Sequence, residues 1–279
     1  MQSLISTTLI QLAFEEDIGS GDITTQALIS PNEMGEAKII AKQDMIIAGL
    51  KLITFVYDYV GFKPHVQHEC TDGDKISKGQ TVTKISGTLA PLFETERIVL
   101  NFLQRLSGIA TMTNAYVKVI GNRPKPIIVD TRKTLPGWRR LEKMAVRIGG
   151  GKNHRMGLYD AMLIKDNHIQ ICDGVIPAIN LARKHASHLT KIEIEVENFE
   201  QLDQALSAKV DVIMLDNMSI TDIQKAVKIV NGKALVEVSG GITIEKVAEL
   251  VDSGVDIISV GALTHSAKAV DLSMEINKV

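Results

Sequence analysis

The sequence predicts an α/β protein whose C-terminal half is a β/α barrel, preceded by a region of different make-up. Three observations carry this. After Pro126, short apolar runs alternate with stretches of helical periodicity, the pattern of parallel strands joined by crossover helices. The polar residues of those runs fall at their C-terminal ends, the end at which the loops of such a barrel build a site. One run, KIEIEVE, puts Glu193, Glu195 and Glu197 on one face and Ile192, Ile194 and Val196 on the other.

Along the chain, Leu4, Leu9, Leu12 and Ala13 recur at helical spacing, ending at the Gly- and Asp-rich segment Asp17–Asp22. Residues 36–48 (EAKIIAKQDMIIA) predict a strand pair. The stretch TDGDKISKGQTVTKIS predicts short strands with tight turns. A biotinyl- or lipoyl-type carrier hairpin is an alternative for that stretch, but it lacks a tip lysine between small or apolar neighbours. From Glu94 to about Ile120 the pattern is one long helix with Ile98, Leu103, Leu106 and Ile109 on its apolar side.

The runs that follow are IIVD (127–130), AMLIK (161–165), IEIEV (192–196), VIMLD (212–216), ALVEVS (234–239) and DIISVG (256–261). Helical stretches at 174–187, 198–208, 220–231 and 243–253 lie between them. Asp130, Lys165, Asp216, Ser239 and Gly261 end their runs, and Glu195 lies near the end of its own. Strands buried on both faces are normally apolar throughout. Carboxylates along one face of 192–196 therefore imply a lumen for cations or polar ligands, or else an edge strand with a wet face.

Composition narrows the function classes. The 279 residues are 45% hydrophobic and 23% charged, enough for one large domain or a medium and a small one. A net charge of -2 gives no global reason to expect nucleic acid or membrane partners. Cys70 and Cys172, far apart and in no metal-type spacing, read as buried thiols of a reducing compartment. The N-terminus has no basic n-region, and no apolar run approaches the roughly 20 residues that span a bilayer. The expected location is cytoplasmic.

Between Arg123 and Arg155 stand ten Lys or Arg residues against Asp130 and Glu142 alone, a local basic field. A solvated basic helix accounts for Arg139, Arg140, Lys143 and Arg147. It does not account for Arg132 and Lys133 in DTRKTLPG, or for His154 and Arg155 after a triple glycine. Arginine offers a planar fork for carboxylate or phosphate, and glycine lets backbone approach a ligand. GGGKN lacks the GxxxxGK[ST] spacing, so the expected ligand is a small polyanion not held by a P-loop. The segments SGGIT (239–243) and VGALTH (260–265) read as phosphate-binding loops or as plain strand-to-helix turns. Glu195 and Asp216 suit a hydroxyl-rich or Mg²⁺-bound group.

The strings DTRKTLPGWRRLEKMAVRIGGGKNHRMGLYDAMLIKDNHI (130–169), EVEN (195–198), LDNM (215–218), SGGI (239–242) and VGALTH (260–265) resemble those of quinolinate phosphoribosyltransferases. EEDIGSGDITT (15–25) and ERIVLNFLQRLSGIAT (96–111) extend the resemblance over nearly the whole chain. The resemblance implies an N-terminal α/β sandwich domain, 1–108 joined by the tail 267–279, and an incomplete α/β barrel, 109–266. It implies the joining of quinolinate to 5-phosphoribosyl 1-pyrophosphate with Mg²⁺, releasing pyrophosphate and carbon dioxide. It also assigns residues. Arg132, His154, Arg155 and Lys165 would line the quinolinate pocket, with Arg97 reaching in from the partner of a homodimer. Lys133 would handle the sugar pyrophosphate beside Thr131. Glu195 and Asp216 would face ribose and metal, and Ser239, Gly240, Gly241 and Gly261 would cradle the 5-phosphate. Lys133, Lys165, Glu195 and Asp216 would carry the catalysis. Its same-fold alternatives are a nicotinate phosphoribosyltransferase and a homologue associated with molybdate transport. A non-catalytic anion-binding barrel is the reading from another class.

Overall fold

The computed structural model describes residues 7–279, so Leu4 lies outside the described residues. In chain order the first elements are α1 (Thr7–Asp17), α2 (Ile23–Leu28), β1 (Met34–Ala41), β2 (Met45–Ile46), α3 (Lys51–Tyr59), β3 (His65–His68), β4 (Lys75–Ile76), β5 (Thr81–Thr88) and α4 (Leu89–Ile120). Then come β6 (Ile127–Val129), α5 (Arg139–Ile148), β7 (Met162–Ile164), α6 (Asp166–Ile171), α7 (Val175–His185), β8 (Ile192–Val196) and α8 (Phe199–Ser207). The last are β9 (Val212–Asp216), α9 (Ile220–Val230), β10 (Leu235–Ser239), α10 (Ile244–Leu250), β11 (Ile257–Ser259), α11 (Ala262–His265) and β12 (Leu272–Lys278).

Packing divides the chain into two compact units. Of the described residues, the first holds those up to 114 with 135–150 and 266–279, and the second 115–134 and 151–265. The division differs from a cut at 108/109 because α4 runs through that point and α5 packs with the first unit.

In the first unit, β1 alternates buried Ala37, Ile39 and Ala41 with outward residues, and lies in an antiparallel sheet ordered β12-β1-β5-β3. The strand pair expected within 36–48 does not form. Instead β2 pairs with β4 while β1 pairs with β5 and β12, because the turn residues after Ala41 carry the chain out of one sheet into another. The long helix begins earlier than the expected Glu94. Pro91 falls in its first turn, where a missing N–H costs nothing. Its Ile98, Leu103, Leu106 and Ile109 are buried.

The basic helix α5 is not wholly solvated. Lys143 is 1% exposed and Glu142 fully buried. Glu142 accepts from Arg105 Nη2 at 2.6 Å and Nε at 3.2 Å, and from the backbone N of Leu135 at 3.2 Å. This pair ties Leu135 to α4 and α5 within the first unit. Removing one partner of a buried pair strands a charge, at about 3–5 kcal/mol. Glu142→Ala should therefore lower unfolding free energy in urea by about that amount, and a loss below about 1 kcal/mol would contradict the assigned role.

In the second unit the six sequence-expected runs form one parallel sheet ordered β6-β11-β10-β9-β8-β7. β8 lies between β9 and β7, so the edge-strand reading of its carboxylates does not hold. Side chains following β6 at one edge and β7 at the other line the same cavity, so the sheet curls into an open barrel. Lys152, just after the triple glycine, also braces the sheet. Lys152 N donates to Ile128 O at 2.8 Å and Lys152 O accepts from Asp130 N at 3.2 Å, a parallel bridge on the free edge of β6. Caps fix where the crossover helices begin. Asn198, Ser219 and Thr243 accept from the backbone N of Gln201, Asp222 and Lys246, at 2.9, 3.1 and 3.3 Å.

Candidate active site

Every strand of the parallel sheet contributes to one cavity of about 630 Å³ in the second unit. Its lining includes Thr131, Arg132 and Lys133 after β6, Lys165 after β7, and Glu195 on β8. Asp216 on β9, Ser239, Gly240 and Gly241 at the end of β10, and Gly261 after β11 complete the set, with His154 and Arg155 from the loop before β7. These are all the sequence-expected site residues except Arg97. Arg97 belongs to the first unit, half-exposed on α4, its Nη2 3.6 Å from Glu96.

Period-two geometry sorts the strand residues into two layers. Glu195 and Ser239 stand at the strand ends; Glu193 and Glu237, two residues earlier on the same strands, stand one layer deeper. In the upper layer Lys165 Nζ lies 2.5 Å from Glu195 Oε2. The cation expected at one substrate and the carboxylate expected at the other are thus a contact pair. Asp216 Oδ2 accepts from Asn217 Nδ2 at 2.6 Å. Each carboxylate so keeps one oxygen outside these contacts, and the two stand at the ends of neighbouring strands.

The glycine turn after β10 is more than a connection. Gly240 and Gly241 have φ of +93° and +55°, and a Cβ at Gly240 would stand 2.1 Å from Asn217 Oδ1. Only glycine permits this approach, which leaves backbone facing the cavity. Thr264 Oγ1 donates to Lys133 O at 2.6 Å, fastening the Lys133 loop to the turn after β11.

Asp130, wholly buried at the end of β6, does not act at the rim. Its Oδ1 accepts from His154 N at 3.0 Å and its Oδ2 from Asn153 Nδ2 at 2.5 Å, holding the loop that presents His154 and Arg155. Arg155 Nη1 donates to Ala161 O at 3.1 Å. Burial, then the nearby Arg132 guanidinium, pull the pKa of Arg155 down. Two guanidiniums crowded in a partly dry cleft favour an anionic neighbour.

Sequence reasoning missed Glu237. It lines the cavity 2% exposed, with Oε1 3.6 Å from His154 Nε2. His154 Nε2 lies 3.0 Å from Glu193 Oε2. Burial first, then Glu193, push the Glu237 carboxyl up to about 8. A glutamate inside the apolar run ALVEVS was the available signal. Cys70 and Cys172 are free and part-buried rather than buried. Among the described residues no helix is long and apolar enough to cross a membrane.

The chain is similar to known proteins along nearly its whole length. Residues 22–107 match the quinolinate phosphoribosyl transferase N-terminal domain and residues 109–275 its C-terminal domain. A probable nicotinate-nucleotide pyrophosphorylase [carboxylating] of Bacillus subtilis is 43% identical, over 99% of this chain and 95% of its own. Quinolinate phosphoribosyltransferase [decarboxylating] 1b of Nicotiana tabacum is 40% identical, over 96% of this chain and 81% of its own. The crystal structure of NadC from Streptococcus pyogenes superposes with TM-score 0.94 at 38% identity, over 98% of this chain and 96% of that one. Human nicotinic acid phosphoribosyltransferase, at 12% identity and TM-score 0.64, shares the fold alone.

Proposed function

The chain belongs to the quinolinate phosphoribosyltransferase family, and from that premise we propose how its cavity works. The reaction transfers the phosphoribosyl group of 5-phosphoribosyl 1-pyrophosphate to quinolinate. It releases pyrophosphate and carbon dioxide and leaves nicotinate mononucleotide, a step of NAD biosynthesis. The supporting observation is the convergence, in one cavity, of the Arg132 and Arg155 guanidiniums, the Lys165–Glu195 pair and the Gly240–Gly241 turn.

Quinolinate is a dianion, and Arg132 with Arg155 provide paired charge that aims its ring nitrogen toward the ribose. Lys165 touches Glu195, a contact that supports a meeting of acid and sugar beside this pair. Backbone at Ser239, Gly240, Gly241 and Gly261 receives the 5-phosphate, as backbone near late barrel strands commonly does. Lys133 and Thr131 take the pyrophosphate. As that group departs, positive charge builds on the sugar, and the carboxylates of Glu195 and Asp216 stabilise it. No protein nucleophile is required.

Glu195 and Asp216 each keep one oxygen beyond their protein contacts, a donor set that suits Mg²⁺ completed by substrate oxygens. Bound there, Mg²⁺ would neutralise charge on the pyrophosphate. The cytoplasm, where pyridine nucleotides are made and used, is the proposed compartment. Incubation with quinolinate, the pyrophosphorylated sugar and Mg²⁺ while following carbon dioxide tests the whole. Release from quinolinate supports it; transfer to nicotinate without release would favour the paralogue; binding without turnover would favour an anion-binding barrel.

The working unit is proposed to be a homodimer in which Arg97 acts at the partner's quinolinate site. Arg97→Ala and Lys165→Ala should then each be nearly inactive alone. A mixed two-fold dimer holds one site with both residues intact, so re-association should return roughly a quarter of wild-type activity. No recovery, with mixed dimers shown to have formed, would mean that Arg97 serves its own chain or no site.

A further inference from the structure

Of the acidic residues lining the cavity, Glu195 and Asp216 have roles and Glu237 has none so far. It lies on β10 two residues before Ser239, one layer deeper in the cavity. Facing it are Glu193 from β8, His154 from the loop before β7 and Ser259 from β11. Arg155 follows His154, Asp130 lies behind it, and Lys165 is engaged with Glu195. Glu237 Oε1 is buried without a hydrogen-bond partner among the described residues.

The proton count of this cluster follows from its contacts. His154 Nδ1 accepts from the backbone N of Arg155 at 2.8 Å, so in this arrangement the ring's one proton sits on Nε2. That proton is directed at Glu193 Oε2, 3.0 Å away. The imidazole thus already serves Glu193. Burial and a like charge alongside disfavour ionising both of two neighbouring carboxyls, which favours one retained proton. It belongs on Glu237, which is the more buried and lacks the imidazole donor.

The reaction needs such a proton. Resting on the decarboxylating reading above, we propose that Glu237 is the acid that delivers a proton to the ring carbon from which carbon dioxide leaves. Once the ring nitrogen is bonded to ribose, the bond from ring carbon 2 to its carboxylate breaks. Carbon dioxide departs neutral, and the electron pair stays on carbon 2 beside the cationic nitrogen. That pair takes the hydrogen of the Glu237 carboxyl, forming the C–H bond and leaving a Glu237 carboxylate. The pyridinium now in the cavity balances the new negative charge. After product leaves, solvent reprotonates Glu237, because Glu193 beside it again disfavours two ionised carboxyls.

The sign of the pH dependence is fixed, because the acid works only while protonated. Wild-type single-turnover carbon dioxide release should fall as pH rises through about 8. Glu237→Gln keeps shape but carries no acid proton. It should bind quinolinate within about twofold of wild type by calorimetry, lose the alkaline limb, and release carbon dioxide about a hundredfold more slowly or worse. Glu237→Asp keeps the proton but withdraws it by one methylene, and should keep the limb at a rate about tenfold lower. A Gln variant that decarboxylates at the wild-type rate overturns the proposal. So does an Asp variant with unchanged rate, the deciding measurement if the Gln variant does not fold. An alkaline limb that shifts with Mg²⁺ concentration also overturns it, since His154, Glu193 and Glu237, with donor atoms within 4.8 Å of one another, would then be acting as a cation site. Wild type that releases no carbon dioxide from quinolinate refutes the functional reading itself, a separate outcome.

Discussion

Quinolinate should be used about a hundred- to a thousandfold better than nicotinate, measured as kcat/KM with each acid under the same sugar pyrophosphate. Nicotinate presents one carboxylate where quinolinate presents two. In the proposed site the acid meets Arg132, Arg155 and Lys165, which line one cavity, and burial together with Arg132 already lowers the pKa of Arg155. A bound monoanion leaves one of these cations desolvated and unmatched. The penalty for stranding a buried charge is about 3–5 kcal/mol, and each ~1.4 kcal/mol is tenfold in rate. The upper end is tempered by exposure, since the Lys165 side chain is 43% exposed and water can serve it. Comparable kcat/KM for the two acids would refute the assignment of these cations. Arg155→Ala should narrow the ratio by weakening quinolinate far more than nicotinate.

Glu195→Ala and Asp216→Ala should each lower kcat by roughly 10²–10³-fold while quinolinate affinity stays near wild type. That is the scale of one preorganised group acting on charge that develops in the transition state. Neither carboxylate can attract the dianion, and removing Glu195 frees Lys165 from its 2.5 Å contact, so binding of the acid should hold or improve. The split between kcat and affinity is the diagnostic, because binding groups move affinity and groups acting only in the transition state move kcat. Calorimetric titration of quinolinate into each variant, with steady-state rates beside it, measures both. Collapse of quinolinate affinity with kcat preserved would mean that the two roles are exchanged.

Much of the second unit was legible in the sequence because each element wrote its own period. The six apolar runs became six adjacent parallel strands, and their polar ends became one rim, since a strand end has no freedom to point elsewhere. The first unit was less legible. The short strands Met45–Ile46 and Lys75–Ile76 pair with each other across a helix and a further strand, and nothing local announces such a partner.

For the site, local order specified which residues stand at strand ends and which glycine turns follow them. Arg132, Lys133, Lys165, Glu195, Asp216 and the Gly240–Gly241 turn follow from that alone. What needed the tertiary structure is how those groups are paired. Lys165 and Glu195 are 30 positions apart and touch. Lys143, basic and inside a helix that reads as solvated, is buried. Glu237 looks in sequence like a stray charge in an apolar strand. It gains a meaning only when β8 and the His154 loop bring a second carboxyl and an imidazole beside it. A residue's type and its place along a strand are local properties that sequence carries. The proton a carboxyl keeps depends on which charges and how little water surround it, and long-range packing alone decides that.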